Sequence, residues 1–230
     1  MSTIKTNQLA HTANGAATYT LPQTDGSAGQ VLQTNGSGVL SWVNNPAPDY
    51  VKIDRQSNGG VASGLIFDNL DVATFKFFDL MLAFVPEQDN HNTYFRFRTG
   101  GASGADVSTS KYDYGYNETY PVDTHGGKAA GDENKIRLSG GIGYNTSIGE
   151  GFRLNLRIMF ADSSDNGASK RLSNFITWQG ARLDGNGNYR TNQGVGIYNN
   201  DLTTFPTGFK IFMDSGTLNS MSYGLYGMKR

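Results

Sequence analysis

The sequence predicts an all-β protein: a β-sandwich of jelly-roll type behind a small N-terminal β-hairpin segment. Three observations predict it. Apolar and polar residues alternate in short runs, most clearly where Phe152, Leu154, Leu156, Ile158 and Phe160 share one face and Arg153, Asn155 and Arg157 the other. Gly, Asn, Asp and Ser cluster between such runs, as tight turns require. No stretch carries the period of an amphipathic helix, and many short strands with Gly-rich turns pack as a sandwich.

The chain opens on a segment poor in oily residues. From Met1 to Val43 the large apolar side chains are Ile4, Leu9, Tyr19, Leu21, Val31, Leu32, Val39, Leu40, Trp42 and Val43. That is too few to close a core. Val31-Leu32 and Val39-Leu40 with Trp42-Val43 flank Asn35-Gly36-Ser37-Gly38. This is a hairpin signal, because the turn needs positive φ that Asn and Gly tolerate. Gln23-Thr24-Asp25-Gly26-Ser27 lies ten residues before Gln33-Thr34-Asn35-Gly36-Ser37, so the segment reads as two copies of one strand–turn unit. Units of this kind become ordered by stacking on neighbours. The expectation is that other chains order it, through Ile4, Leu21, Val31, Leu32, Leu40 and Trp42 as particle-attachment and oligomerisation residues. Asn44-Asn45-Pro46-Ala47-Pro48-Asp49 is a boundary, since two nearby prolines stiffen a chain and block ladder hydrogen bonds. The expected division is an attachment segment over 1–48 and a sandwich over 49–230.

After the boundary, Tyr50-Val51-Lys52-Ile53-Asp54 alternates and Leu65-Ile66-Phe67 is short and apolar. Phe75 to Val85 is the longest apolar run. Phe75 and Phe77 share one phase; Phe78, Leu80, Leu82 and Phe84 share the other. Such a switch marks either a β-bulge or a strand buried on both faces, with a helix as the competing reading. Tyr94-Phe95-Arg96-Phe97-Arg98 alternates again. Gly100 to Asn134 breaks the rhythm and reads as a long loop, functional or poorly ordered. Further strands fall at Phe175–Trp178, from Tyr189, at Val195–Tyr198, Phe209–Met213 and Met221–Met228, with a turn at Asp184-Gly185-Asn186-Gly187-Asn188.

Composition excludes several classes. The 30 glycines show no Gly-X-Y period, so collagen is excluded; they are expected in turns. Aromatics at 12% and charges at 17% are the reverse of a disordered chain. A net charge of −1 with no basic block leaves no footprint for nucleic acid or an anionic membrane. There is no long apolar span for membrane insertion, and no charged region followed by an apolar stretch as in a secretory signal. Cysteine is absent, which removes disulfides and Cys-based metal sites.

Catalytic and metal patterns fail on inspection. His11, His91 and His125 lie in polar stretches without metal-ligand spacing, and a surface role is expected. Asp184-x-Asn186-x-Asn188 starts like a calcium loop, but Tyr189 and Val195 stand where Gly and Glu are needed. Gly140-Gly141-Ile142-Gly143 lacks the third Gly of a dinucleotide loop. Asp106, Asp113, Glu118 and Asp123 share the long loop with no sign of the fixed separation a glycosidase pair needs. No cofactor, metal or enzymatic activity is expected. Tyr112, Tyr114, Tyr116 and Tyr120 have two readings. Tyrosines suit sugar or protein surfaces, which would make them surface or receptor contacts, but the favoured reading packs them on their own sandwich or a neighbouring subunit.

The opening Met-Ser-Thr-Ile-Lys-Thr-Asn and Asp25 to Trp42, with its Gly-Gln-x-Leu-x-Thr-Asn-Gly-Ser-Gly core, resemble the N-terminal segment of tailed-bacteriophage fibre and minor virion proteins, particularly those of marine phages. Ser222-Tyr-Gly-Leu-Tyr-Gly-Met-Lys-Arg resembles the last strand of head- and tail-fibre knobs. The resemblance implies a virion protein assembled in the bacterial cytoplasm. The expectation is a homotrimeric short fibre of tail, neck or head, anchored to other virion proteins by its N-terminal segment and presenting a knob to a host-surface glycan or protein. A capsid decoration protein cementing the head shell is the alternative, and a free carbohydrate-binding module or glycan-cleaving enzyme the third reading.

Overall fold

The computed structural model describes residues 6–10, 18–46, 48–59, 62–120, 124–144, 149–161, 174–199 and 205–229. It is built almost wholly of antiparallel strands, with no α-helix among the described residues. The chain divides into two compact units, Met1–Pro48 and Asp49–Arg230.

The first unit holds two two-stranded ribbons. Strands β1 (Gln8–Ala10) and β2 (Thr18–Thr20) form one; β3 (Gln30–Thr34) and β4 (Leu40–Asn44) form the other. The β3–β4 turn follows the sequence chemistry. Gly36 and Gly38 take φ of 79° and 85°, and Asn35 Oδ1 accepts from the Ser37 and Val39 N–H groups at 2.8 and 3.1 Å. The expected second copy of this unit does not form. Gln23–Ser27 is bend and coil, and it wraps Trp42: the indole N–H donates to Thr24 O at 2.9 Å, while Gly26 lies so close to the ring that a Cβ there would sit 2.6 Å from it.

The second unit is the sandwich. Its strands are β5 (Tyr50–Gly59), β6 (Leu65–Phe67), β7 (Phe75–Pro86), β8 (His91–Thr99), β9 (Ala105–Asp106), β10 (Tyr112–Tyr120), β11 (Thr124–Glu133), β12 (Ile136–Ile142), β13 (Gly151–Met159), β14 (Phe175–Leu183), β15 (Tyr189–Tyr198), β16 (Gly208–Met213) and β17 (Leu218–Lys229). One sheet runs β11-β10-β15-β14-β13-β7-β17-β5; the other runs β12-β8-β16-β6, with β9 also on β8. Eight of these strands make a jelly roll: β5 pairs with β17, β6 with β16, β7 with β13 and β8 with β12, first with last and inward to the middle. The hairpins β10–β11 and β14–β15 are insertions that widen one sheet from four strands to eight.

Two expectations change here. Gly100–Asn134 is not a loop, since β9, β10 and β11 occupy most of it. Its Gly-, Asp- and Asn-rich composition hides a paired hairpin whose strand-like signal is the tyrosine alternation alone. The glycines are also not confined to turns. In β15, a Cβ on Gly194 would meet Trp178 Cζ2 at 2.4 Å and one on Gly196 would meet Ile136 Cδ1 at 2.6 Å, so their absence makes room for core side chains.

The phase switch in β7 is a bulge. Opposite β17, the register steps from Phe77↔Met228 to Phe75↔Lys229, so that Lys76 is the extra residue of the bulge. Phe78, Leu80, Leu82 and Phe84 therefore enter the core, and Phe75 packs against its edge, 5.9 Å from the Phe78 ring. The core lies between the sheets around Phe78, Phe95, Phe97, Phe152, Phe160 and Phe209. Phe97 and Phe160 meet edge-on at 5.4 Å across the gap, a favoured aromatic geometry. Trp178 Nε1–H crosses it to Leu138 O at 2.9 Å.

Candidate functional site

Two surfaces stand out, one on each unit. The first is the β3–β4 ribbon. Leu32 is opposite Trp42 and Thr34 opposite Leu40 on one face; Val31 is opposite Val43 on the other. Both faces of a two-stranded ribbon are thus apolar, and nothing in the register can turn them both inward. Val31, Leu32, Val39 and Trp42 keep 39%, 42%, 45% and 38% of their surface exposed, and the hydrophobic core cluster contains no residue from this unit. Leu21 and Leu40 are half-buried, the Leu21 N–H bonding Asn7 O at 2.9 Å. Ile4 lies outside the described residues.

The tyrosines separate. Tyr112, Tyr114 and Tyr116 point into the sandwich, so their reading as receptor contacts is corrected: β10 is a paired strand whose alternate residues face the core. Tyr112 O–H donates to Val107 O at 2.8 Å and accepts from Phe97 N–H at 3.0 Å, bolting β10 to β8. Burial pushes all three hydroxyls up from their ordinary value. Tyr120, past the core, is exposed, with the Arg190 guanidinium over its ring at 4.3 Å.

The second surface is the outer face of the eight-stranded sheet. Two adjoining depressions of about 1220 and 950 Å³ form a trough along it, sharing Met81, Asn117, Asn155, Gln179 and Gln193. Register sets the layout. Asn117, Gln193, Gln179 and Asn155 are consecutive cross-strand partners on β10, β15, β14 and β13. The next row is Thr119, Thr191, Ala181, Arg153 and Ala83. On the other side Arg157 grips Asp79 through two bonds of 2.7 and 2.8 Å, beside the stacked rings of Tyr50 and Tyr226 at 5.1 Å.

The remaining candidates serve the fold. Asp106 pairs with Arg98; Glu118 is buried on Arg182; Asp113 accepts from the Asp132 N–H at 3.0 Å; Asp123 lies outside the described residues. Gly140, Gly141 and Ile142 belong to β12, so they form no phosphate loop. Asp184 closes a turn, its Oδ1 accepting from the Asn186 and Asn188 N–H groups at 3.0 Å each. His91 is half-buried and bonds Asp214 at 2.8 Å. Burial raises the Asp214 carboxyl, but hydrogen bonds from Asn92 and His91 outweigh it and hold it below its ordinary value. His125 is exposed on β11, and His11 lies outside the described residues. Among the described residues, no cluster of His, Cys, Asp or Glu is arranged to hold a metal.

No protein-family model matches the chain, and no curated protein or solved structure does either.

Proposed function

We propose that this chain is a non-enzymatic bacteriophage structural protein, a short homotrimeric fibre whose first unit attaches it to the virion and whose jelly roll faces outward for adhesion. The observation that carries the reading is the β3–β4 ribbon, apolar on both faces, with Leu32 and Trp42 part-exposed on one and Val31 on the other. Covering the exposed part of Val31, Leu32, Val39 and Trp42 is worth about 1 kcal/mol each, from the usual gain for burying such side chains. Repeated around an assembly, these gains push toward association rather than leaving the ribbon in water. The resemblance of its Gly-Gln-Val-Leu-Gln-Thr-Asn-Gly-Ser-Gly run to phage attachment segments supports a virion as the partner. Several identical weak contacts on one particle then act together by avidity.

The test is particle incorporation. A chain shortened to begin at Asp49 folds but is missing from purified particles; its retention would overturn the reading. Copy number distinguishes a fibre, with few copies at one place, from the alternative of a decoration protein spread over the head.

A further inference from the structure

We infer that the trough on the eight-stranded sheet binds an extended acidic polysaccharide laid across the strands. The inference rests on the adhesive role proposed above and names its ligand class. Four side-chain amides, Asn117, Gln193, Gln179 and Asn155, stand in one row contributed by four neighbouring strands. At the usual strand spacing of about 4.8 Å the row spans about 14 Å, the reach of a short oligosaccharide. All four residues are exposed, and among the described residues none of their side chains is hydrogen-bonded within the chain. Each amide offers two donors and an acceptor. A ladder of such groups matches a chain of sugar hydroxyls, which also donate and accept.

Charge selects among polysaccharides. Arg153 lies in the adjacent row between Ala181 and Ala83, whose small side chains leave its guanidinium uncrowded. Among the described residues it has no ion-pair partner, whereas Arg157 is taken by Asp79. A free guanidinium beside neutral amides fits a carboxylate spaced along a hydroxyl-rich polymer, which it can bind through two parallel bonds. Nucleic acid would need a continuous track of cations, whereas the other cations lining the trough, Arg55 on β5 and Lys128 on β11, stand at opposite edges of the sheet and Arg157 is held by Asp79. A protein partner would need buried aromatic or arginine anchors in pockets, while the exposed large apolar residues of the trough, Tyr50, Met81 and Val195, stand apart in three different rows.

The experiment is affinity electrophoresis of the full chain through gels containing polygalacturonate or, as the uncharged counterpart, dextran. Retardation by polygalacturonate well beyond that by dextran is expected. The Gln179→Ala/Gln193→Ala double variant, at exposed positions that leave the core intact, weakens it about tenfold, the worth of two lost hydrogen bonds. Arg153→Gln removes the preference for the acidic polymer. No retardation by either polymer, or retardation that these substitutions leave unchanged, overturns the inference. So does a fall in oligomer mass in the double variant, which would make the trough a contact between copies. Polysaccharide binding by a chain that particles fail to incorporate would keep the trough and remove the virion role; incorporation without binding would do the reverse.

Discussion

Replacing Tyr112 by Phe tests whether the β10 tyrosines hold the sandwich together. The ring stays and only the hydroxyl goes. That hydroxyl donates to Val107 O and accepts from Phe97 N–H, and the residue is fully buried. Losing a buried hydrogen bond costs about 1 kcal/mol, and an orphaned buried N–H adds about 1–3 kcal/mol. The expected loss is therefore about 2–4 kcal/mol, a large part of a domain's stability. The chain has two tryptophans, Trp42 in the first unit and Trp178 in the core of the second. In a Trp42→Phe background, Trp178 fluorescence reports on the sandwich alone. The urea midpoint should fall by roughly 1–2 M for a domain of this size. A shift within error, with loss of adhesion instead, would refute a structural role for this tyrosine.

Further predictions concern packing and pH. Gly194→Val forces a side chain onto Trp178 and should cost about 1–3 kcal/mol through overpacking, read as a lower Tm. Asp184→Asn should destabilise by about 1–3 kcal/mol at neutral pH, since Arg190 loses its charged partner. Burial raises the Asp184 carboxyl, but the Asn188, Arg190 and Asn186 hydrogen bonds outweigh it and lower the folded value. Its contribution is thus fully present above the ordinary carboxylate value of 3.8 and fades as pH falls through the lowered folded one, so native and variant should converge in acid. Glu118→Ala leaves Arg182 charged and buried without its partner and should cost about 3–5 kcal/mol by urea titration.

Strands with clean alternation, such as β13, were legible because one face is buried and the other wet. The β7 bulge was legible as a phase switch. β10 and β11 were not, because composition there says turn while pairing with β15 says strand. The glycines of β15 misled for a related reason: the bulk they avoid belongs to Trp178 and Ile136, distant in sequence. Strand order is set by pairings as remote as β5 with β17, which no local pattern encodes. The ribbon's lack of a core was legible from counting oily residues. The amide row was not, because Asn117, Asn155, Gln179 and Gln193 become neighbours only through register.

The mass of the full chain in dilute solution, by light scattering on a size-exclusion column, bears most directly on the part-exposed ribbon. A particle of three chains is expected, falling to one chain when Leu32 and Trp42 are both replaced by Ser, with the sandwich melting as before. A single chain for the unaltered protein would contradict the account.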